Sequence, residues 1–200
     1  MRDVIDVKLF WLACSRIRSM LLSDEQVDLQ DDRLKLHCAA DVWRVFYVNV
    51  PLADGSPFPE WITPALVDTW GITADDVVTM ADVNDRREGF TIRPMSAIAS
   101  DTANISKSLV GHAAYVSSTS GWFGAAAVLQ KAVQEELSEM YPKGYAIAMP
   151  NINEAIVIDD VVDNSRMYHT CKEIVEANKN ADALSYHIFK VHDGRLRQVI

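Results

Sequence analysis

The sequence predicts an α+β protein, a mostly antiparallel sheet with helices packed on it, read as a single domain over residues 1–200. Three observations lead there. Short apolar runs bounded by turn residues recur at 112–118, 145–149 and 155–158, the signature of strands. Between the first two lies a stretch with helical spacing. Near the C-terminus, Asp193-Gly194 separates two further strand-like runs, a strong hairpin signal. The C-terminal half therefore reads β-α-β-β-α-β-β, and residues 1–110 read as an N-terminal layer packed on an α+β unit of residues 111–200.

Taken in order, residues 3–22 carry Val4, Val7, Trp11, Cys14, Ile17 and Leu21 at helical steps, widened by Phe10, and predict an N-terminal helix docked on the core. Phe10 and Trp11 on this helix, with Trp61, are the candidate contacts for a partner. Residues 23–32 hold five acids and no base, the pattern of a solvated turn or helix end. Residues 34–39 and 43–50 read as a strand pair. In the second, Trp43, Val45, Tyr47 and Asn49 alternate with Arg44, Phe46, Val48 and Val50, so both faces are apolar enough for a central strand. Residues 51–59 read as a loop from their Pro, Gly and Ser content. Thr63 is an N-cap with Pro64 at the first helical position, and Gly71 ends that helix. Thr73 opens another, with Asp75 and Asp76 in its positive first turn and Val77, Met80 and Ala81 inward. Residues 86–108 read as irregular, with a short helix around 95–99.

The organising stretch is 111–159. A strand over 112–118 runs into the loop Ser117-Ser118-Thr119-Ser120-Gly121, and Ser120 is placed as the N-cap of a helix ending near Tyr141, before Pro142. Ala126, Leu129, Val133, Leu137 and Met140 form its apolar stripe. Ala125, Ala126 and Ala127 let its first turn approach a sheet closely. Residues 150–153 connect the next two strands as a hairpin. A second helix is expected over 161–178, with Cys171 inward and His169 outward.

The Gly124-Ala125-Ala126-Ala127-Val128-Leu129 run, the Ile152-Asn153-Glu154-Ala155-Ile156-Val157-Ile158 segment and Asp160 resemble an uncharacterised bacterial family, domain of unknown function 5688. Flanking stretches extend the resemblance over roughly residues 43–200: Ile62-Thr63-Pro64-Ala65-Leu66-Val67 and Trp70-Gly71-Ile72-Thr73 upstream, and Leu184-Ser185-Tyr186-His187 downstream. The family carries no established activity. Two positions depart from its pattern: Phe123 stands where the family has Asn, and Asn153 where it has His.

The 117–121 loop is the candidate anion site, because free amides and hydroxyls at a helix start could hold a phosphate or carboxylate. It is neither a Walker loop nor Gly-x-Gly-x-x-Gly. His112 is the nearest candidate base for a loop serine, but no catalytic residues are assigned and Gly-x-Ser-x-Gly is absent. Glu154, Asp159, Asp160 and Asp163 would need to converge to act as acid/base or magnesium ligands. His187 and His192 lack a third ligand nearby, so no metal and no cofactor are expected.

A net charge of −9 argues against direct binding to nucleic acid, and no run approaches a membrane span. Cys14, Cys38 and Cys171 are odd in number and widely spaced, which points to a reduced, cytoplasmic protein. The expected function is non-enzymatic: a binding or accessory protein of a bacterium or its mobile elements, with a protein partner and homo-oligomerisation left open. Two alternatives stand beside it. One is an acidic inhibitor of a nucleic-acid-binding defence or processing enzyme; the other is an enzyme or small-ligand sensor using the 117–121 loop.

Overall fold

The computed structural model describes residues 6–27, 32–52, 56–95, 111–160, 169, 184–192 and 195–199. Two antiparallel sheets carry the architecture. The first is built around β3 (Val42–Pro51), which pairs along one side with β1 (Ile17–Ser23). Along its other side β2 (Lys35–Ala39) and β4 (Pro57–Trp61) pair one after the other. The second sheet has six strands in the order β10-β9-β7-β8-β6-β5. These are β5 (Phe90–Pro94), β6 (Ala113–Ser118), β7 (Tyr145–Ala148), β8 (Glu154–Asp159), β9 (Ile188–His192) and β10 (Arg195–Gln198). The α+β class and the antiparallel sheet are as the sequence predicts.

The N-terminal helix is not. Helix α1 covers only Phe10–Ala13, a 3₁₀ turn follows over Cys14–Arg16, and Ile17–Ser23 is a strand. The apolar steps that suggest a helix here are also satisfied by a strand buried on both faces. Ile17 and Leu21 lie on one face with Phe46 and Val48, whereas Met20 and Leu22 lie on the other with Val45 and Tyr47. β3 is central and two-faced, as its alternation requires.

Helices α2 (Pro64–Trp70) and α3 (Ala74–Glu88) pack on the first sheet through Val67, Trp70, Val77 and Ala81. Their ends follow the sequence closely. Thr63 accepts a hydrogen bond from Leu66 N at 3.2 Å, and Gly71 closes α2 at φ 68°. Thr73 and Asp76 exchange the reciprocal bonds of a capping box.

Two strands escape the sequence reading. β4 contains Pro57 and Pro59 and falls at the end of the expected loop; it is an outer strand, where a missing N–H is tolerated. β5 occupies part of the stretch read as irregular, directly after α3. It pairs with β6 and so belongs to the second sheet. The helix expected near 95–99 and most of the one expected over 161–178 lie outside the described residues. So does Cys171, while His169 is exposed. His192 pairs opposite Arg195, consistent with the expected final hairpin.

The alanine-led segment is a 3₁₀ turn, Gly124–Leu129, followed after a break at Gln130 by α4 (Lys131–Met140). Its alanines are buried between the two sheets, in one apolar cluster with Leu21 and Val42 of the first and Val116, Val157 and Phe189 of the second. The close approach is most severe at Gly124. A Cβ there would lie 2.4 Å from both Asn153 O and Ser118 N.

Candidate functional site

The expected anion loop does not begin a helix. Ser117 and Ser118 are the last residues of β6, and Ser117 Oγ lies 3.0 Å from Thr91 Oγ1. Thr119 N donates to Gly89 O at 3.2 Å and Gly121 N to Ser118 O at 3.0 Å. Trp122 N donates to Ser120 Oγ at 3.3 Å, and Phe123 N to Asn153 Oδ1 at 2.9 Å. These amides are therefore engaged within the protein. The Ser120 hydroxyl donates to the Glu88 carboxylate, which would repel an incoming anion. Ser120 is not an N-cap: the 3₁₀ turn starts after Phe123, whose backbone is left-handed at φ 52°. Phe123 and Asn153 thus touch each other.

The other sequence candidates stay apart. His112 precedes β6 at the end opposite the loop serines, 3.6 Å from Asp159. Glu154 and Asp159 lie at opposite ends of β8, Glu154 3.9 Å from Arg93, while Asp160 accepts from Lys190 Nζ at 2.6 Å. Asp163 lies outside the described residues. His187 Nδ1 sits 2.9 Å from Gln198 Nε2. Among the described residues no group of His, Cys, Asp and Glu could hold a metal ion. Of the partner candidates, Trp11 is 70% exposed, whereas Phe10 packs against Trp70 and Trp61 lies under Arg33 and against Tyr47.

What the fold does bring together is a polar network at the end of α3. Asp82, Asp85 and Glu88 recur at steps of three, so they share one side of the helix. β1 is an outer strand, and its Arg18 and Ser19 both reach this side. Ser19 Oγ donates to Asp85 Oδ2 at 2.8 Å. Arg18 Nε lies 3.4 Å from Glu88 and 3.8 Å from Asp85. From β3, Arg44 donates to Asp82 at 2.5 Å and lies 3.9 Å from Asp85.

Asp85 is the most perturbed acid of the group. Its side chain is 14% exposed, and burial pushes its carboxyl up to about 6. The Ser19 hydrogen bond and the Arg44 and Arg18 guanidiniums oppose that rise, and Glu88 adds to it. Burial, reinforced by Asp85 and Glu88, also holds the Tyr47 phenol protonated far beyond its usual range. Tyr47 is a neutral hydroxyl throughout the physiological range.

The network opens into a cleft of about 300 Å³. Arg18, Tyr47 and Asn49 form one wall, and Arg87, Glu88, Ser120 and Trp122 the other. A smaller cavity of about 20 Å³ lies behind it, lined by Ser19, Asp85, Ser118 and Gln130 among others. That volume suits a single water, and the buried Gln130 Oε1 makes no hydrogen bond among the described residues. In the larger cleft Asn49 Oδ1 is buried and makes no hydrogen bond among the described residues, whereas the buried Arg18 Nε is held in its ion pair with Glu88. Tyr47 lines the same cleft, and Trp122 exposes 49% of its surface there. An amide, a phenol, two guanidiniums, a carboxylate and an indole thus line one opening.

Sequence reasoning finds one edge of this site, Ser120, and assigns it an anion, which the neighbouring Glu88 carboxylate disfavours. Arg18 and Ser19 are hidden by the helical reading of 3–22. The spacing of Asp82, Asp85 and Glu88 is the signal that could have exposed the other wall. No family model, curated protein or solved structure matches the chain.

Proposed function

We propose that this chain is a binding protein that carries out no reaction of its own and takes a small polar ligand in the cleft between α3, β3 and the 117–122 loop. The observation that carries the reading is the cleft itself, with Asn49 on its wall, whose buried Oδ1 makes no hydrogen bond among the described residues. An unsatisfied buried acceptor costs roughly 1–3 kcal/mol, a cost that a ligand donor would remove. The opening falls at the lower end of the size range of small-molecule sites. A non-catalytic role is supported by how Asp85 is engaged. It accepts from Ser19 and faces two guanidiniums, an arrangement that positions charge without activating a nucleophile.

The accessory role in a bacterium or its mobile elements, in a reduced cytoplasm, belongs to the same proposal. It rests on the resemblance to domain of unknown function 5688 and on the free thiols of Cys14 and Cys38. A protein partner is a second reading, favoured by Trp11 and its half-exposed neighbour Leu9. The nucleic-acid-mimic alternative draws less support, because Asp82, Asp85 and Glu88 are interleaved with arginines and present little unpaired negative charge.

Native mass spectrometry after incubation with a small-molecule cell extract tests the cleft. The expected result is a low-mass species retained by the wild-type chain and lost in Asn49→Leu, with unchanged circular dichroism. Retention of nothing, or equal retention by both chains, ends the reading.

A further inference from the structure

We infer that the ligand of this cleft is a single-ring carboxylate, whose charge pairs with Arg87 and whose ring lies along Trp122; the inference rests on the cleft being a binding site. Charge comes first. Two guanidiniums line the opening, and they differ in what already holds them. Arg18 is committed within the protein: its Nε lies 3.4 Å from Glu88, and its Nη1 donates to Ser15 O at 3.3 Å and to Ile17 O at 3.1 Å. Arg87 is exposed and makes no ion pair among the described residues. Arg18 and Glu88 offset each other, and Tyr47 is neutral, so the lining is left with the positive charge of Arg87.

The number and place of the ligand's charges come second. At the 117–121 loop an anion meets engaged amides and the Glu88 carboxylate, whereas at Arg87 it meets an exposed cation. One negative charge is what Arg87 balances. A second would stand uncompensated near Glu88, which favours a carboxylate over a phosphate dianion. The planar fork of a guanidinium also matches the two oxygens of a carboxylate. A cation would be repelled by Arg87 and would have to displace Arg18 from the partly desolvated Glu88 pair, which is costly.

Shape is the third consideration. Trp122 lines the same cleft as Arg87 with half its surface open, and an indole is the largest flat apolar face a side chain offers. It is presented from a held backbone: Ser118 Oγ donates to Trp122 O at 2.9 Å, and Phe123 N donates to Asn153 Oδ1 at 2.9 Å. Little ordering of the loop is therefore left for binding to impose. An aromatic ring stacks offset or edge-on against such a face, while a carboxylate on its rim turns toward Arg87. At about 300 Å³ the space suits one ring.

The test is an amide and indole NMR titration of the full chain with three separate probes: benzoate, its neutral counterpart benzamide, and inorganic phosphate. The Trp122 indole signal, assigned with Trp122→Phe, and the Thr119–Gly121 amides are the readout. Benzoate should shift these signals saturably and bind about fivefold more tightly than benzamide, the scale of an ion pair at an exposed guanidinium. Arg87→Gln should remove that preference by weakening benzoate about fivefold, with benzamide unchanged, and Arg87→Lys should restore most of it. Arg86→Gln removes the same charge one position earlier, outside the cleft lining, and should leave both probes as they were. Equal affinity for benzoate and benzamide, or an equal loss in Arg86→Gln and Arg87→Gln, overturns the assignment of the charge and leaves the cleft reading standing. Phosphate binding more tightly than benzoate overturns the choice of a carboxylate. Shifts from none of the three probes overturn the inference. If the extract experiment also retains nothing, the cleft reading falls with it.

Discussion

Helix α3 and the segment from Gly124 to Met140 both lie on a sheet, yet they are held there by different means. α3 is specified at its ends. Thr73 and Asp76 satisfy its first amides, Asp75 and Asp76 face its positive pole, and Arg86 and Arg87 sit in its last turn. Gly124–Leu129 and α4 have no side-chain cap at either start, and Phe123 enters the first with a left-handed backbone. That segment is fixed by what surrounds it: Gly124 through Val128 are all buried between two sheets. One element is written locally, whereas the other is imposed by its neighbours. A change at the cap of the first should therefore be mild, and a change at the contact of the second severe.

The largest expected effect is Gly124→Ala. The new Cβ would meet two backbone atoms at 2.4 Å, and neither can swing aside as a side-chain end could. A loss of more than about 3 kcal/mol is expected, read as a lowered midpoint in urea denaturation. A loss below about 1 kcal/mol would mean that the turn is free to shift and that its neighbours do not impose it.

Next comes the charged side of α3. Asp85 has its folded pKa raised to about 6 from an ordinary 3.8, so the native state binds the extra proton between those values. Its ionised form is therefore a liability above about pH 6, and that liability fades as pH falls toward 4. Asp85→Asn should remove the pH-dependent contribution, at most about 3 kcal/mol in size. Urea midpoints of the two chains, compared from pH 7.5 down to pH ~4.5, should converge if the variant is the more stable at the upper end. Parallel profiles would show that Asp85 titrates as an exposed acid.

The smallest effect is at the local cap. Thr73→Ala should cost about 1 kcal/mol, because it removes the acceptor for Asp76 N and breaks one half of the box. Amide exchange should quicken in the first turn of α3 and stay unchanged at Val133 and Leu137. Quickening at the latter two would mean that the helices are not independently held.

The same contrast explains what was legible from residue order. Thr63-Pro64, Gly71, Thr73 and the Asp193-Gly194 dipeptide are short-range signals in the sequence, and the α2 and α3 boundaries and the β9–β10 pairing agree with them. The alternation of β3 was readable because both of its faces meet apolar layers. β1 was not, because Ile17 to Leu22 place apolar residues at steps that suit a helix and a doubly buried strand alike. β4 hid behind its prolines, which only an outer position makes admissible. The site fared worst, since its walls come from β1, α3, β3 and the 117–122 loop. Only Ser120 announced itself, and the acid that decides its ligand, Glu88, lies 32 positions earlier.

Ser185 donates to Asp41 at 2.6 Å across 144 positions, and Leu184, Phe189 and Leu196 complete the apolar cluster begun by Leu21 and Val42. A chain still emerging from the ribosome therefore exposes a half-covered first sheet until residues 184–196 have been synthesised. During that interval Leu21 and Val42 are open to chaperones and to neighbouring nascent chains. Yield in the cell should accordingly depend on how quickly β9 and β10 follow the first sheet, a vulnerability of synthesis that the finished fold conceals.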